Sequence, residues 1–211
     1  MAVKLPQFSQ LVGGKWHFSA PVKSGIFAGN AQFSMNHFEL FELPIQLKVD
    51  PKDLPRKYME LSKKFHPDYY ANATPSEQAI ALERSAQLNE AFKVLKDPLA
   101  TIRYVLTLKN LMQAEEKYTL SQHFLMEVLE LNEQLMELRS QPDPEQVNQI
   151  GQQVAELGQQ IDQEVAPVIN NYQEGVTDPS ALLQVKEYYY RKKYLDRMLR
   201  QLEELGFNSS L

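Results

Sequence analysis

The sequence predicts an all-α body from residue 36 onward, and three observations carry that prediction. Glycine nearly vanishes there, since four of the eight glycines of this 211-residue chain lie before residue 35. Apolar residues recur at helical rather than alternating spacing, and no strand pattern or solenoid-length repeat interrupts them. The breaks are short and most carry proline, which ends a helix by removing an N–H donor and restricting the residue before it.

Asn36 is placed to cap a short helix through Leu43, stopped at Pro44. Asp50 is placed to cap a second, opening Pro51-Lys52-Asp53 and running to Phe65. Its residues Leu54, Tyr58, Leu61 and Phe65 form one buried stripe, leaving Lys52, Arg56, Lys57, Lys63 and Lys64 toward water or a partner. A third helix is expected from Pro75 to Lys96, with Leu82, Ala86, Phe92 and Leu95 as its apolar members, and Asp97-Pro98 ends it. Leu99 to Leu111 supplies a fourth. Three longer helices follow over roughly 120–140, 144–174 and 179–206, and their short connections make them antiparallel neighbours in a bundle.

Composition narrows the function. No cysteine means no disulfide framework, thiol nucleophile, cysteine-ligated zinc or protein-bound thiolate cluster. The net charge of −5 argues against nucleic acid as the main ligand, and no apolar run reaches the ~18 residues of a membrane span. Residues 1–34 stand apart: they hold three lysines and no acid, so the remainder carries 19 basic against all 27 acidic side chains. They lack both a continuous apolar stretch and arginine, which disfavours an export signal or an organelle presequence. A flexible extension is expected, or an upstream continuation of a reading frame whose natural start is Met35. No catalytic group, cofactor or metal site is expected. His66 and Asp68 could form an acid–base pair, but no nucleophile, phosphate loop or ligand spacing accompanies them, and His17, His37 and His123 are scattered.

His66-Pro67-Asp68 follows the basic amphipathic helix directly. Tyr58-Met59-Glu60-Leu61-Ser62-Lys63-Lys64-Phe65 ahead of it resembles the second helix of a J domain. Leu88-Asn89-Glu90-Ala91-Phe92-Lys93-Val94-Leu95-Lys96-Asp97-Pro98 resembles the end of the third. The resemblance covers about Asn36 to Leu111 and implies an antiparallel helical finger with the tripeptide at its tip. It also implies docking of that tip and of Lys52, Arg56, Lys57, Lys63 and Lys64 on a DnaK/HscA-type heat-shock ATPase, whose hydrolysis it would promote. Physically, Pro67 fixes its own φ and biases His66 to extended backbone, which lowers the ordering cost of binding. Asp68 is free to take an arginine bidentately. The lysines and Arg56 would act mainly through on-rate and orientation. Without the loop, a basic stripe would be read as a solvated face.

The helix over 120–140 has two apolar faces. Leu120, Phe124, Val128, Leu131, Leu135 and Leu138 fall within an arc of roughly 80°. Leu125, Leu129 and Met136 lie on another face, with Met126, Glu130, Glu133 and Glu137 just beyond it. Periodicity alone leaves open whether that second face packs internally or forms an exposed patch with an acidic rim. Phe124-Leu125-Met126-Glu127-Val128-Leu129-Glu130-Leu131-Asn132-Glu133 resembles the client-binding bundle of the HscB family, J-protein co-chaperones of iron–sulfur cluster assembly. The opening Met35-Asn36-His37-Phe38-Glu39-Leu40-Phe41-Glu42-Leu43-Pro44 is similar to the same family.

The resemblance implies a J domain over 35–111 joined in an L shape to a C-terminal three-helix bundle over 112–211. It implies an IscU-type scaffold bound through Leu125, Met126, Leu129, Glu130, Glu133, Glu137 and Tyr194. The absence of cysteine and of a clear export signal is compatible with a bacterial cytoplasm, and no membrane or nucleic-acid partner is expected. A general J-protein with another client, or a purely structural bundle, is the alternative. Tyr69 stands where the family commonly has lysine, and residues 1–34 have no usual counterpart. The extra cysteine-bound metal domain of some eukaryotic members has no match in a chain without cysteine. Gln-rich sequence with Gly151 and Gly158 makes the middle bundle helix the expected soft element.

Overall fold

A computed structural model describes residues 35–113 and 115–208; the expected flexible extension over 1–34 lies outside them. The described part of the chain belongs to one compact unit, Met35–Leu211. Among the described residues every regular element is a helix, as the spacing predicts.

Helix α1 (His37–Leu40) opens with a capping box: Asn36 Oδ1 accepts the Glu39 N–H at 2.9 Å, and Glu39 Oε2 accepts the Asn36 N–H at 3.0 Å. It stops short of the expected Leu43 because Glu42 turns to φ 52° and the Leu43 N–H closes back on the Phe38 carbonyl. Helix α2 (Asp53–Lys64) begins two residues after the expected Pro51, and Asp50 does not cap it: its Oδ1 accepts the Lys52 N–H at 2.7 Å in the turn ahead, and Lys52 at the helix entry makes no side-chain cap bond. A 3-10 turn over Pro67–Tyr70 follows.

Helix α3 (Pro75–Lys96) has proline at its first turn and a Thr74/Glu77 capping box. Of its expected apolar members, Leu95 is buried and Phe92 packs against the core, but Leu82 and Ala86 do not. Ala81, Leu88, Ala91 and Leu95 are buried, whereas Leu82 is 64% exposed and Ala86 also faces water. One residue of phase is ~100° of rotation, and packing against α1, α2 and the next helix selects the 81, 88, 95 register. Helix α4 (Pro98–Leu108) starts where Asp97 Oδ1 accepts the Ala100 N–H at 2.8 Å. It ends three residues before the expected Leu111, with Asn110 left-handed at φ 56°.

The single helix expected over 120–140 is two: α5 (Gln122–Glu127) and α6 (Leu129–Ser140), broken at Val128 with φ −93° and ψ −2°. Helices α7 (Pro144–Asn171) and α8 (Pro179–Glu204) complete the fold, each with an aspartate cap and a proline in its first turn. Helix α8 ends in a Schellman turn: Gly206 takes φ 103° and the Phe207 N–H reaches the Leu202 carbonyl at 2.9 Å.

Two apolar cores result. The first gathers Phe38, Phe41, Leu54, Leu88, Ile102 and Val105 from the first half, and it also takes in Val165, Leu182 and Val185. The second is built by Phe124, Val128, Leu135, Val154, Ile161, Leu195 and Leu202. Helices α7 and α8 therefore run through both. Polar ties reinforce the junction: Lys186 Nζ donates to the Leu111 carbonyl at 2.7 Å, Lys109 pairs with Glu174, and the Tyr118 ring stacks on Tyr190 at 4.2 Å.

His37 packs against this first core, its ring stacked on Tyr104 at 4.2 Å. Burial lowers its pKa from the ordinary histidine value, and the charge of Glu90 opposes that shift without reversing it. A folded pKa below the unfolded one means the unfolded state binds more protons in that window. The stabilisation is then complete above the unfolded value, ~6.5, and is lost as pH falls through it toward the folded value. His37→Phe keeps the ring stack and removes the titration. Urea midpoints at pH 7.5 and 5.5 should therefore fall further on acidification for the wild type than for the variant; an equal fall in both would contradict this.

Candidate functional site

The first cluster of candidate residues sits at the tip of the α2–α3 finger. Tyr58 stacks on Phe92 at 4.3 Å and its hydroxyl donates to Asn89 Oδ1 at 2.7 Å, which binds the two helices together below the tip. His66 is extended at φ −65°, ψ 128°, as the following proline demands. Its Nδ1 accepts the Asp68 N–H at 3.3 Å and lies 3.6 Å from Asp68 Oδ2. In the neutral imidazole this nitrogen is the acceptor, so Nε2–H is left to donate outward. The Asp68 side chain is 88% exposed, free to accept from a partner. Pro67 is exposed beside them. The loop is held from behind by the Tyr70 hydroxyl donating to the Lys64 carbonyl, and by the Gln78 amide donating to the carbonyls of Ala71 and Ala73. Tyr69 is exposed, its ring edge-on to His66 at 6.1 Å.

The five cations predicted for this surface divide. Lys52, Lys63 and Lys64 are exposed on α2 and its entry, with Lys64 Nζ 5.5 Å from the ring of Phe65. Arg56 pairs with Asp53 one turn back at 2.9 Å, in the open. Lys57 is committed elsewhere: its Nζ donates to the carbonyls of Phe41 and Glu42 at 3.0 and 3.1 Å, satisfying the C-terminal end of α1. Its local role is to lock α1 onto α2.

The second cluster lies on α5 and α6. Phe124, Val128, Leu135 and Leu138 are buried in the second core. Leu125, Met126 and Leu129 are exposed by 41, 68 and 56%, so the second apolar face does not pack internally. Glu130, Glu133 and Glu137 are exposed on the same helix and supply the acidic rim. Met136 belongs with them at 72% exposed; the periodicity placed it on this face, but the resemblance gave it no part. Tyr194 comes from α8, half-buried beneath the patch, edge-on to Phe124 at 5.7 Å. Its hydroxyl accepts from Asn132 Nδ2 at 2.8 Å. Sequence reasoning passed over Asn132, and its one signal was a lone amide between two leucine turns.

Beside this patch, Arg191 lies over the Phe124 ring at 5.0 Å, bonds Glu164 at 2.8 Å and faces Glu127 at 3.8 Å. A cavity of about 440 Å³ opens nearby between α7 and α8. Its Glu164 and Arg191 are already paired with each other, and Glu187 accepts from the Tyr118 hydroxyl, so its polar wall offers little to a ligand. Among the described residues no group of three His, Cys, Asp or Glu is placed to hold a metal ion, and no helix is long and apolar enough to cross a membrane.

Residues 120–203, which carry the second cluster, match the family model described as the HSCB C-terminal oligomerisation domain. A co-chaperone protein HscB homolog of Shewanella halifaxensis is 33% identical over 168 residues, spanning 79% of this chain and 96% of that protein. The chain belongs to the HscB family of co-chaperones. A second HscB homolog, from Vibrio cholerae serotype O1, is 42% identical over 112 residues, and the match spans 66% of it, just under two thirds of its length. Among solved structures, the chaperone HscB from Vibrio cholerae superposes with a TM-score of 0.61 at 28% identity, over 81% of this chain and 97% of the other. The human co-chaperone HscB has the same fold, with a TM-score of 0.66 at 22% identity over 81% and 82% of the two chains. The homologues are co-chaperones, and the HscB architecture of a J domain followed by a helical domain is the one predicted from the sequence.

Proposed function

We propose that this chain is a two-ended adaptor. The region over 112–211 binds an IscU-type iron–sulfur scaffold through Leu125, Met126, Leu129, Glu130, Glu133, Glu137 and Tyr194. The J region over 35–111 presents the scaffold to a DnaK/HscA-type chaperone in the cytoplasm, where it stimulates that chaperone's ATPase and so promotes cluster transfer. His66, Pro67 and Asp68 engage the chaperone, and Lys52, Arg56, Lys63 and Lys64 steer it. Lys57, spent on the end of α1, contributes through the fold. The observation that carries this reading is the exposed apolar stripe with its glutamate rim, standing outside the second core. Such a patch is what a protein-binding site requires: apolar area for affinity and charge at the edge for orientation. The chemistry of hydrolysis belongs to the partner.

The test is steady-state ATP hydrolysis by the chaperone with wild type or His66→Gln, each with and without the scaffold. Wild type should stimulate, and more than additively with scaffold. His66→Gln should fall to the unstimulated rate while keeping its fold, because glutamine has no ring nitrogen to accept the Asp68 N–H and hold the tip. Stimulation without synergy would keep the J-protein and reassign its client; normal stimulation by the variant would end the mechanism.

A further inference from the structure

We propose that Asn132 is the positioning residue of the α5–α6 face, holding the break at Val128 and the Tyr194 ring in the one arrangement that presents Leu125 and Leu129 together. This rests on the reading of that face as the scaffold site. The side-chain amide of Asn132 donates to the Val128 carbonyl at 2.7 Å and to the Tyr194 hydroxyl at 2.8 Å. Since a carbonyl only accepts, Nδ2 must face it, and both of its hydrogens are then used.

The Val128 carbonyl already receives the Asn132 main-chain N–H at 3.0 Å, so it accepts twice from one residue. Ser and Thr side chains that bond the carbonyl four residues back often bend a helix, and the Asn132 amide makes a bond of the same span. Here it coincides with the residue at which α5 and α6 part. The second bond crosses 62 positions in sequence to α8. Tyr194 in turn meets Phe124 edge-on, and Phe124 is the fully buried anchor of α5. One amide thus ties the break between α5 and α6 to α8 at the point where the apolar face changes direction. Leu125 stands on the α5 side of the break and Leu129 on the α6 side, so their separation depends on how the break is held. The amide lies half-buried beneath the patch, and a partner covering it would exclude the water that could replace either bond.

Asn132→Leu keeps the number and branching of side-chain heavy atoms and removes both bonds; Tyr194→Phe keeps the ring and removes only the hydroxyl. Each is compared with wild type, with the double variant and with Leu125→Ala/Leu129→Ala, in the full-length chain. The readouts are dissociation of an IscU-type scaffold, thermal midpoint, and chaperone ATPase without scaffold. Asn132→Leu should weaken scaffold binding about five- to tenfold, chiefly through faster dissociation, with ATPase stimulation in the absence of scaffold unchanged. The double variant should be no worse than the weaker single, because one bridge is being cut twice. Wild-type binding by Asn132→Leu, strictly additive losses, or loss of affinity that merely follows a fall in thermal midpoint would each overturn the proposal. Normal binding by Leu125→Ala/Leu129→Ala would instead remove the scaffold reading on which it stands, and the two failures are thereby told apart.

Discussion

Replacing Leu125 and Leu129 together with alanine is expected to weaken scaffold binding about a hundredfold, at roughly 1–2 kcal/mol for each buried leucine lost from an interface centre. Both side chains are substantially exposed in the free protein, at 41% and 56%. Their truncation therefore opens no cavity, and the thermal midpoint should stay near that of the wild type. That combination identifies a binding surface: a core pair would lose stability first and affinity only as a consequence. The glutamates around the patch are expected to behave differently, since rim charges act through encounter rate and salt dependence. Calorimetric titration with scaffold, together with ATPase stimulation measured without it, separates the two ends of the molecule. Unchanged affinity would mean that the stripe meets no partner of this kind.

Gly151→Ala should destabilise the chain, although alanine ordinarily strengthens a helix. A Cβ at residue 151 would lie 2.3 Å from Cε2 and 2.4 Å from Cδ2 of Phe207, well inside contact distance. An aromatic ring wedged on a helix backbone has no flexible end to yield, so Phe207 must leave its site. Losing that burial costs about 1.5–3 kcal/mol. The better helix propensity returns about 1 kcal/mol, leaving a net loss of about 0.5–2 kcal/mol. At Gly158 the neighbours stand 3.6 and 3.9 Å from a built Cβ, which is ordinary contact, so the same substitution there should be neutral or stabilising. Denaturant midpoints for both variants, and for Gly151→Ala in a Phe207→Ala background, decide the matter. With the ring gone, Gly151→Ala should cease to destabilise, and a persistent loss would refute the wedge.

These glycines show where the sequence stops speaking. Composition marked the middle bundle helix as soft because propensity counts glycine as a cost. What it could not register is that Gly151 is a seat for Phe207, delivered by a turn 55 residues downstream at Gly206. Local signals fared unevenly: Asn36 caps α1 as its residue type predicts, whereas the cap expected of Asp50 does not form, because α2 begins at Asp53 and the Asp50 carboxylate only accepts the Lys52 N–H in the turn ahead of it. The two apolar faces over 120–140 were also legible as faces, but periodicity did not say whether the second would pack internally; the structure leaves Leu125, Met126 and Leu129 exposed. Long-range pairings were not legible. The basic periodicity of α2 gave Lys57 to a partner, whereas the end of α1 takes it; the Val128 carbonyl at the helix break is bonded by Asn132, which also reaches Tyr194 on another helix. In α3, a choice of packing partners moved Leu82 from core to surface.

Helices α7 and α8 pass through both cores, and that continuity bears on how the two ends of the proposed adaptor cooperate. Two modules joined by a loose tether meet their partners at an effective concentration set by chain statistics, which falls as the tether lengthens. Here the connection is two packed helices, so a scaffold held at Leu125 and Leu129 stands at a fixed displacement from His66. The second encounter is then governed by geometry, and little orientational entropy is left to lose when chaperone and client are brought together.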